Sequence, residues 1–395
     1  MATEIARALH VLTGGEAVAH AMRQIDPDVV PVYPITPQTP IIQGFAKFVA
    51  EGAAQGEVVT VESEHSAMSA AIGSALAGAR TMTATSSQGL AYMAEIVYIA
   101  AAMRAPIVMG VGNRALSGPI NIHCDHSDAM LVRDSGAIQL FVESAQEAYD
   151  VTVMAPRIAE HPDVLLPVLV GQDGFTITHS AEPVELLTDA AVRRFVGEYR
   201  VPYPLLDLAR VTTQGPFAMP DYYYELRYQL AAAQQAALRV LEEVAGELEA
   251  LSGRRYGAVE AYELEGADAA VVCMGSTAGT VKDVVDELRA EGRRVGLLRV
   301  CSFRPFPRDT VRAALSTVGA VAVLDRADSP GGAPPLAADV AHALYGLPVI
   351  LRSYVYGLGG RDLHPDGIRE VFGEVEQRVP DGTRYLGLRS DKCPA

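Results

Sequence analysis

The sequence predicts an α/β chain in two units, a parallel-sheet domain over residues 1–255 and a smaller α/β domain over 256–395. Three observations predict it. Short β-branched runs alternate with helical stretches through the first half. A long apolar periodicity in steps of three and four residues follows, from Leu226 to Leu251. Strand–turn–helix alternation then resumes.

Taken in order, Val29-Val30-Pro31-Val32-Tyr33 reads as a first strand that ends in a Pro-rich turn. Val58 to Val61 reads as a second, with a helix running through Ala67 to Gly78. Thr81 to Thr85 is a third strand and Pro106 to Met109 a fourth. In such sheets ligands bind beyond the carboxyl ends of the strands, where the loops lie. From about Glu182 to Asp221 the chain carries five prolines and no sustained period, which predicts an irregular crossing segment. Leu226, Leu230, Ala233, Ala237, Leu241, Val244, Leu248 and Leu251 predict a helix over about 221–252, with Gly253 as its stop. That helix buries one stripe within its own chain or meets another subunit. Ala269 to Met274, Val295 to Val300 and Val318 to Leu324 are further strands, and a helix over Val281 to Glu291 follows the first of them. No G-x-G-x-x-G follows any strand, so a bound NAD is not supported.

Composition narrows the function. The net charge of −16 disfavours nucleic acid and anionic membrane surfaces as partners. The most apolar stretch, Ile96 to Val111, is interrupted by Arg104 and Pro106 and is too short to span a bilayer. The start Met1-Ala2-Thr3-Glu4 shows no leader pattern, so a soluble cytoplasmic protein is expected. Cys124, Cys273, Cys301 and Cys393 include no C-x-x-C pair, so this chain alone is expected to build no iron–sulfur or zinc site.

Four segments at strand ends carry chemistry. In Tyr33-Pro34-Ile35-Thr36-Pro37, two prolines stiffen a loop that presents the Thr36 hydroxyl, which suits a small oxygenated substrate or is an ordinary turn. Glu62-Ser63-Glu64-His65 places two carboxylates before a helix of Ala, Ser, Met and Gly. Close packing of that helix would dehydrate a carboxylate at its start, which suits a group sharing a proton with a heterocycle nitrogen. Alternatively, both acids simply favour the positive end of the helix. Thr83 to Leu90 offers hydroxyls, an amide and Gly89 to wrap a polar ligand, but no Lys follows the glycine as in a P-loop. Asn113-Arg114-Ala115-Leu116-Ser117 sets Arg114 at a strand end, where a guanidinium can fork onto a carboxylate. Asp125, His126 and Asp128 beyond it read as a hydrogen-bonded scaffold rather than a metal site.

Together these runs resemble the alpha subunit of the pyruvate:ferredoxin oxidoreductase family, in order and spacing over roughly residues 10–180. The second half is similar too, through Arg304-Pro305-Phe306-Pro307, Asp325-Arg326 and Gly357-Leu358-Gly359-Gly360-Arg361-Asp362. The resemblance implies a pyrimidine-type thiamine-diphosphate-binding domain followed by a domain like the C-terminal part of transketolase. It implies that Glu64 bonds N1′ of the cofactor's aminopyrimidine, and that Thr36 and Arg114 hold the 2-oxoacid. Electrons would leave through iron–sulfur clusters to ferredoxin, and coenzyme A would collect the acyl group.

This sequence departs from a self-sufficient enzyme. The family's diphosphate-and-magnesium motif, Gly-Asp-Gly with a later Asn, is absent, and Gln172-Asp173-Gly174 is the nearest approach. Mg²⁺ and [4Fe–4S] clusters are therefore expected on partners: a subunit carrying the diphosphate motif, a ferredoxin-like subunit and a gamma-type subunit. Pyruvate is the expected substrate, with a branched-chain 2-oxoacid or 2-oxoglutarate as the alternative. A non-catalytic paralogue would be expected to lose Glu64 or Arg114, and both are present. A non-oxidative thiamine enzyme is the third alternative.

Overall fold

The computed structural model describes residues 8–377 and 382–392. Cys393 lies outside the described residues. In chain order the first half comprises β1 (Ala8–Thr13), α1 (Gly14–Ile25), β2 (Val29–Val32), α2 (Thr39–Ala50), β3 (Glu57–Thr60), α3 (Glu64–Ala77), β4 (Thr81–Thr85), α4 (Ser87–Ala102), β5 (Ile107–Asn113), α5 (Ser127–Leu131), β6 (Ile138–Phe141), α6 (Ala145–Ala159), β7 (Val168–Asp173), β8 (Ala181–Leu186), α7 (Asp189–Val196) and α8 (Pro220–Ser252). The second half comprises β9 (Val259–Tyr262), β10 (Ala269–Cys273), α9 (Thr277–Ala290), β11 (Val295–Val300), β12 (Ser302–Arg304), α10 (Arg308–Leu315), β13 (Ala320–Asp325), α11 (Pro335–Leu344), β14 (Ile350–Val355), α12 (Pro365–Glu376) and β15 (Thr383–Tyr385).

The main sheet has the order β12-β6-β7-β5-β4-β2-β3. Its ladders are parallel except for β12, which is antiparallel to β6. β4, β5, β6 and β7 are buried along their whole length, as a sheet covered by helices on both faces requires. The second sheet, β15-β14-β13-β10-β11-β9, is parallel apart from β9. Residue 255 falls in the turn between α8 and β9, yet β12 crosses back to extend the first sheet. The two units therefore share a sheet edge.

Local signals explain the helix that matters most for the site. Ser63 caps α3 by accepting from the Ser66 backbone N–H at 3.2 Å. Gly78, at φ +115°, ends α3 in a left-handed turn closed to other residues. α8 runs 33 residues to Gly253 at φ +74°, and it buries Leu230, Ala233, Ala237, Leu241, Val244 and Leu248 of the predicted stripe. Leu226, at the head of that stripe, is instead exposed.

The crossing segment is less irregular than its prolines suggest. Pro183 sits in β8, which pairs with β1 in a two-stranded sheet, an edge position that needs no proline N–H. α7 follows, capped by Thr188, and only the part from Gly197 to Met219 lacks regular elements. Among the described residues no helix is long and apolar enough to cross a membrane.

Candidate active site

The carboxyl ends of β2, β4, β5 and β7 and the start of α3 converge on one crown of polar groups. Asp128, fully buried at the start of α5, ties it together. One of its oxygens accepts from the backbone N–H of Ser87 at 2.9 Å and of Arg114 at 3.0 Å. The other accepts from Asn113 Nδ2 at 3.0 Å and from Ala129 N at 2.8 Å. Burial pushes the Asp128 carboxyl up to about 6, against the hydrogen bonds that favour its charge. Asp125 is likewise scaffold: it accepts from Ser127 N and, across the domain boundary, from Gly359 N.

Arg114 is 7% exposed and braced from two sides. Its Nη1 donates to the Thr36 carbonyl at 2.9 Å and its Nε to the Asn121 carbonyl at 3.1 Å. Thr36 and Arg114 are thus brought together, with Thr36 exposed and Nη2 without a partner among the described residues. Gly112 and Gly174 let the Pro37 ring press between β5 and β7: a Cβ at Gly112 would lie 3.2 Å from Pro37 Cγ, and one at Gly174 would lie 2.9 Å from it. Beside this site, Asn121, Asp125, Arg133, Asp328 and Gly359 line a cleft of about 850 Å³ between the two domains.

Glu64 is the first residue of α3 and 8% exposed. Among the described residues its carboxylate has no hydrogen-bond partner. It lies against Gly89, where a Cβ would come within 2.9 Å of Glu64 Oε1 and 2.4 Å of Thr85 Oγ1. The Thr85 hydroxyl beside it is buried and, among the described residues, also lacks a partner; the Ser86 hydroxyl, likewise unpartnered, faces Gly112. A buried carboxylate and an orphaned hydroxyl around a glycine cradle need a polar ligand to satisfy them. They fit the edge of an aminopyrimidine ring.

One expectation needs correction. Residues from Ser87 onward form the first turn of α4 rather than a wrapping loop, and it is this turn that brings Gly89 against Glu64. Asp173, in the sequence's nearest approach to the diphosphate-and-magnesium motif, is engaged by protein groups. Arg326 Nη1 and His126 Nε2 each sit 2.7 Å from its carboxylate, and Ser276 donates to it as well. Burial opposes its charge, but Arg326, His126 and Ser276 hold it well below the usual carboxylate range. Cys124 shares this cluster with His126 and Asp173.

Glu62, the other carboxylate before α3, is exposed and accepts from Ser66 Oγ. His65 stacks beside Tyr92. What the sequence reading missed is Asn121 as the second brace of Arg114, and it left no local signal.

Residues 20–246 match the family model described as pyruvate flavodoxin/ferredoxin oxidoreductase, thiamine-diphosphate-binding. Residues 267–368 match pyruvate:ferredoxin oxidoreductase core domain II. Pyruvate synthase subunit PorA of Thermotoga maritima is 56% identical over 382 residues, covering 96% of this chain and 97% of its own length. Ketoisovalerate oxidoreductase subunit VorA of Pyrococcus horikoshii is 39% identical over 375 residues, 94% of this chain and 95% of its own. In fold the chain is similar to a solved 2-oxoglutarate:ferredoxin oxidoreductase from Magnetococcus marinus, with a TM-score of 0.72 at 22% identity, covering 94% of this chain and 65% of that one. Two family models in tandem, and a relative sharing more than half its residues end to end, carry this beyond likeness of fold: the chain belongs to the pyruvate:ferredoxin oxidoreductase family.

Proposed function

We propose that this chain is the thiamine-activating subunit of a pyruvate:ferredoxin oxidoreductase, which converts pyruvate and coenzyme A to acetyl-CoA and CO₂ while reducing ferredoxin. The observation that carries it is the buried, unpartnered Glu64 carboxylate against Gly89, flanked by the orphaned Thr85 hydroxyl. Thiamine diphosphate, when bound, supplies the carbon nucleophile and the electron sink for loss of CO₂ from a 2-oxoacid. Glu64 holds and releases a proton at N1′ of its aminopyrimidine, in a setting where few other protein groups compete for the carboxylate. Thr85 orients the ring edge. Arg114, braced on Thr36 and Asn121, offers its free N–H groups to the substrate carboxylate, and the Thr36 hydroxyl reaches the same molecule.

The diphosphate anchor with its Mg²⁺ and the [4Fe–4S] clusters belong to partner subunits in this reading. The absence of a Gly-Asp-Gly motif supports it, as does the locking of Asp173 by Arg326. Cys124, Cys273 and Cys301 are buried, and burial pushes the Cys301 thiol up to about 12, so it stays protonated. Pyruvate is preferred over a branched-chain acid because identity to the pyruvate synthase relative exceeds that to the ketoisovalerate one, 56% against 39%.

The test is made on the complex purified with its partners. Glu64→Gln keeps shape but loses the exchangeable proton, and kcat should fall at least ~100-fold in viologen reduction. Arg114→Lys loses the planar fork and should raise KM for pyruvate with the cofactor still bound. Near-full activity of Glu64→Gln would overturn the assignment. A kcat/KM higher for 3-methyl-2-oxobutanoate than for pyruvate would move the substrate to the branched-chain class.

A further inference from the structure

The segment from Gly197 to Met219 and the first turns of α8 carry an unusual concentration of exposed apolar rings. Phe217 is 91% exposed, Tyr224 79%, Tyr228 71%, Tyr222 69% and Tyr223 59%. Leu208, in the same strap, is 89% exposed. Large exposed apolar side chains at this density mark a site of interaction, and Tyr is enriched where proteins meet.

The place of this strap in the fold indicates what covers it. The Leu205 N–H donates to the Leu76 carbonyl at the end of α3 at 2.9 Å, and Gly215 lies against Met103 at the end of α4. The opposite ends of the same two helices hold Glu64 and Gly89. The outer face of the α3–α4 pair therefore runs from the cofactor half-site to the strap, about 20 Å for the 14 residues of α3. Gly73, toward the C-terminal end of α3, is exposed, and a Cβ there would meet nothing within 4 Å. Among the described residues nothing requires a glycine there, and alanine would favour the helix. Close approach of another backbone would require it.

We infer that the α3–α4 face together with the strap over 201–228 is the docking surface for the subunit that supplies the diphosphate-binding half of the thiamine site. The inference rests on the half-site reading above. A partner that reaches Glu64 from outside must lie over this face, and its far end then meets the strap. A second copy of this chain would need a self-complementary patch instead, and nothing ties such a patch to the half-site.

Two variants test it in the full complex. Gly73→Leu adds bulk into open space, and the combined Phe217→Ser, Tyr222→Ser and Tyr224→Ser change removes exposed rings, so both chains should fold with unchanged circular dichroism and unfolding midpoint. Each should weaken association with the diphosphate-half subunit at least ~100-fold, as the loss of two or more anchor residues does. Amides of 201–228 in the wild-type chain should become protected from hydrogen exchange when that subunit binds. Normal assembly of both variants, or unchanged exchange over 201–228, overturns the docking surface. So does loss of chain–chain association alone with the hetero-complex intact. Turnover by the isolated wild-type chain would sink the half-site reading instead, and the exchange measurement would still judge the surface.

Discussion

Asp128 satisfies four donors from three separate segments with one buried carboxylate. In doing so it sets the backbone of Arg114, and so the direction in which the guanidinium emerges from β5. Asp128→Asn replaces one acceptor oxygen with a donor facing either the Ser87 and Arg114 N–H groups or the Asn113 amide. KM for the 2-oxoacid should rise about tenfold, the loss of roughly one hydrogen bond to a charged group, while cofactor affinity changes little. The carboxyl sits at about 6, so in the wild type its second acceptor is lost as pH falls through that value. The wild-type KM should therefore climb below about pH 6, and the Asn variant should show a raised KM with no such inflection. A pH profile shared by both proteins would remove Asp128 from this positioning role. The motif around Asp128 was legible as a scaffold, but its partners were not. Ser87 lies 41 residues away in sequence, and no local pattern marks it.

At the scale of elements, the α3–α4 pair is where sequence patterns and site geometry meet. Small residues let the two helices approach, and that approach presses Gly89 onto Glu64. On helix propensity alone Gly89→Ala should stabilise α4 by up to about 1 kcal/mol. The new Cβ would instead lie 2.4 Å from Thr85 Oγ1 and 2.9 Å from the Glu64 carboxylate, and one of them must move. A displaced acid–base group costs on the order of 100-fold in rate, so kcat should fall by 10- to 100-fold with the fold retained. An Ala variant of undiminished kcat would show that the cradle is not the cofactor's seat. Four of the seven strands of the first sheet are read from their apolar and β-branched runs; β6, β7 and β12 are not. β12 is three residues long and exists only through its pairing with β6.

For the molecule as a whole, buried ion pairs join the halves that the sequence divides at residue 255. Asp173 ends β7 of the first sheet, while Arg326 and Ser276 follow strands of the second. Arg299 of β11 likewise pairs with Glu147 of α6 at 2.7 Å, both buried. Arg326→Met would leave Asp173 charged and short of its main compensating cation. The cost of breaking a buried pair on one side is about 3–5 kcal/mol. Urea unfolding should show that loss, with the two halves separating into distinct transitions. A loss under about 1 kcal/mol would mean that the pair does not join the halves energetically. Charge reads differently once folded: Arg254 is bound to Asp150 and Glu185, and Arg255 to Glu242 and Glu249. Arg193 and Arg194, near the end of α7, are by contrast exposed.

From the sequence alone came whatever depends on neighbours along the chain. Strand runs such as Thr81–Thr85, the 33-residue helix with its glycine stop, and the order of Thr36, Glu64 and Arg114 at successive strand ends belong to this class. Periodicity and turn chemistry act over a few residues, so they survive in a linear string. Tertiary structure alone decided which of the two carboxylates is dehydrated: Glu64 is 8% exposed against Gly89, whereas Glu62 faces solvent two residues away. It also decided that Asp173 pairs with Arg326, across 153 residues of chain. Desolvation and ion pairing depend on what surrounds a group in three dimensions, and no spacing rule encodes a contact of that separation.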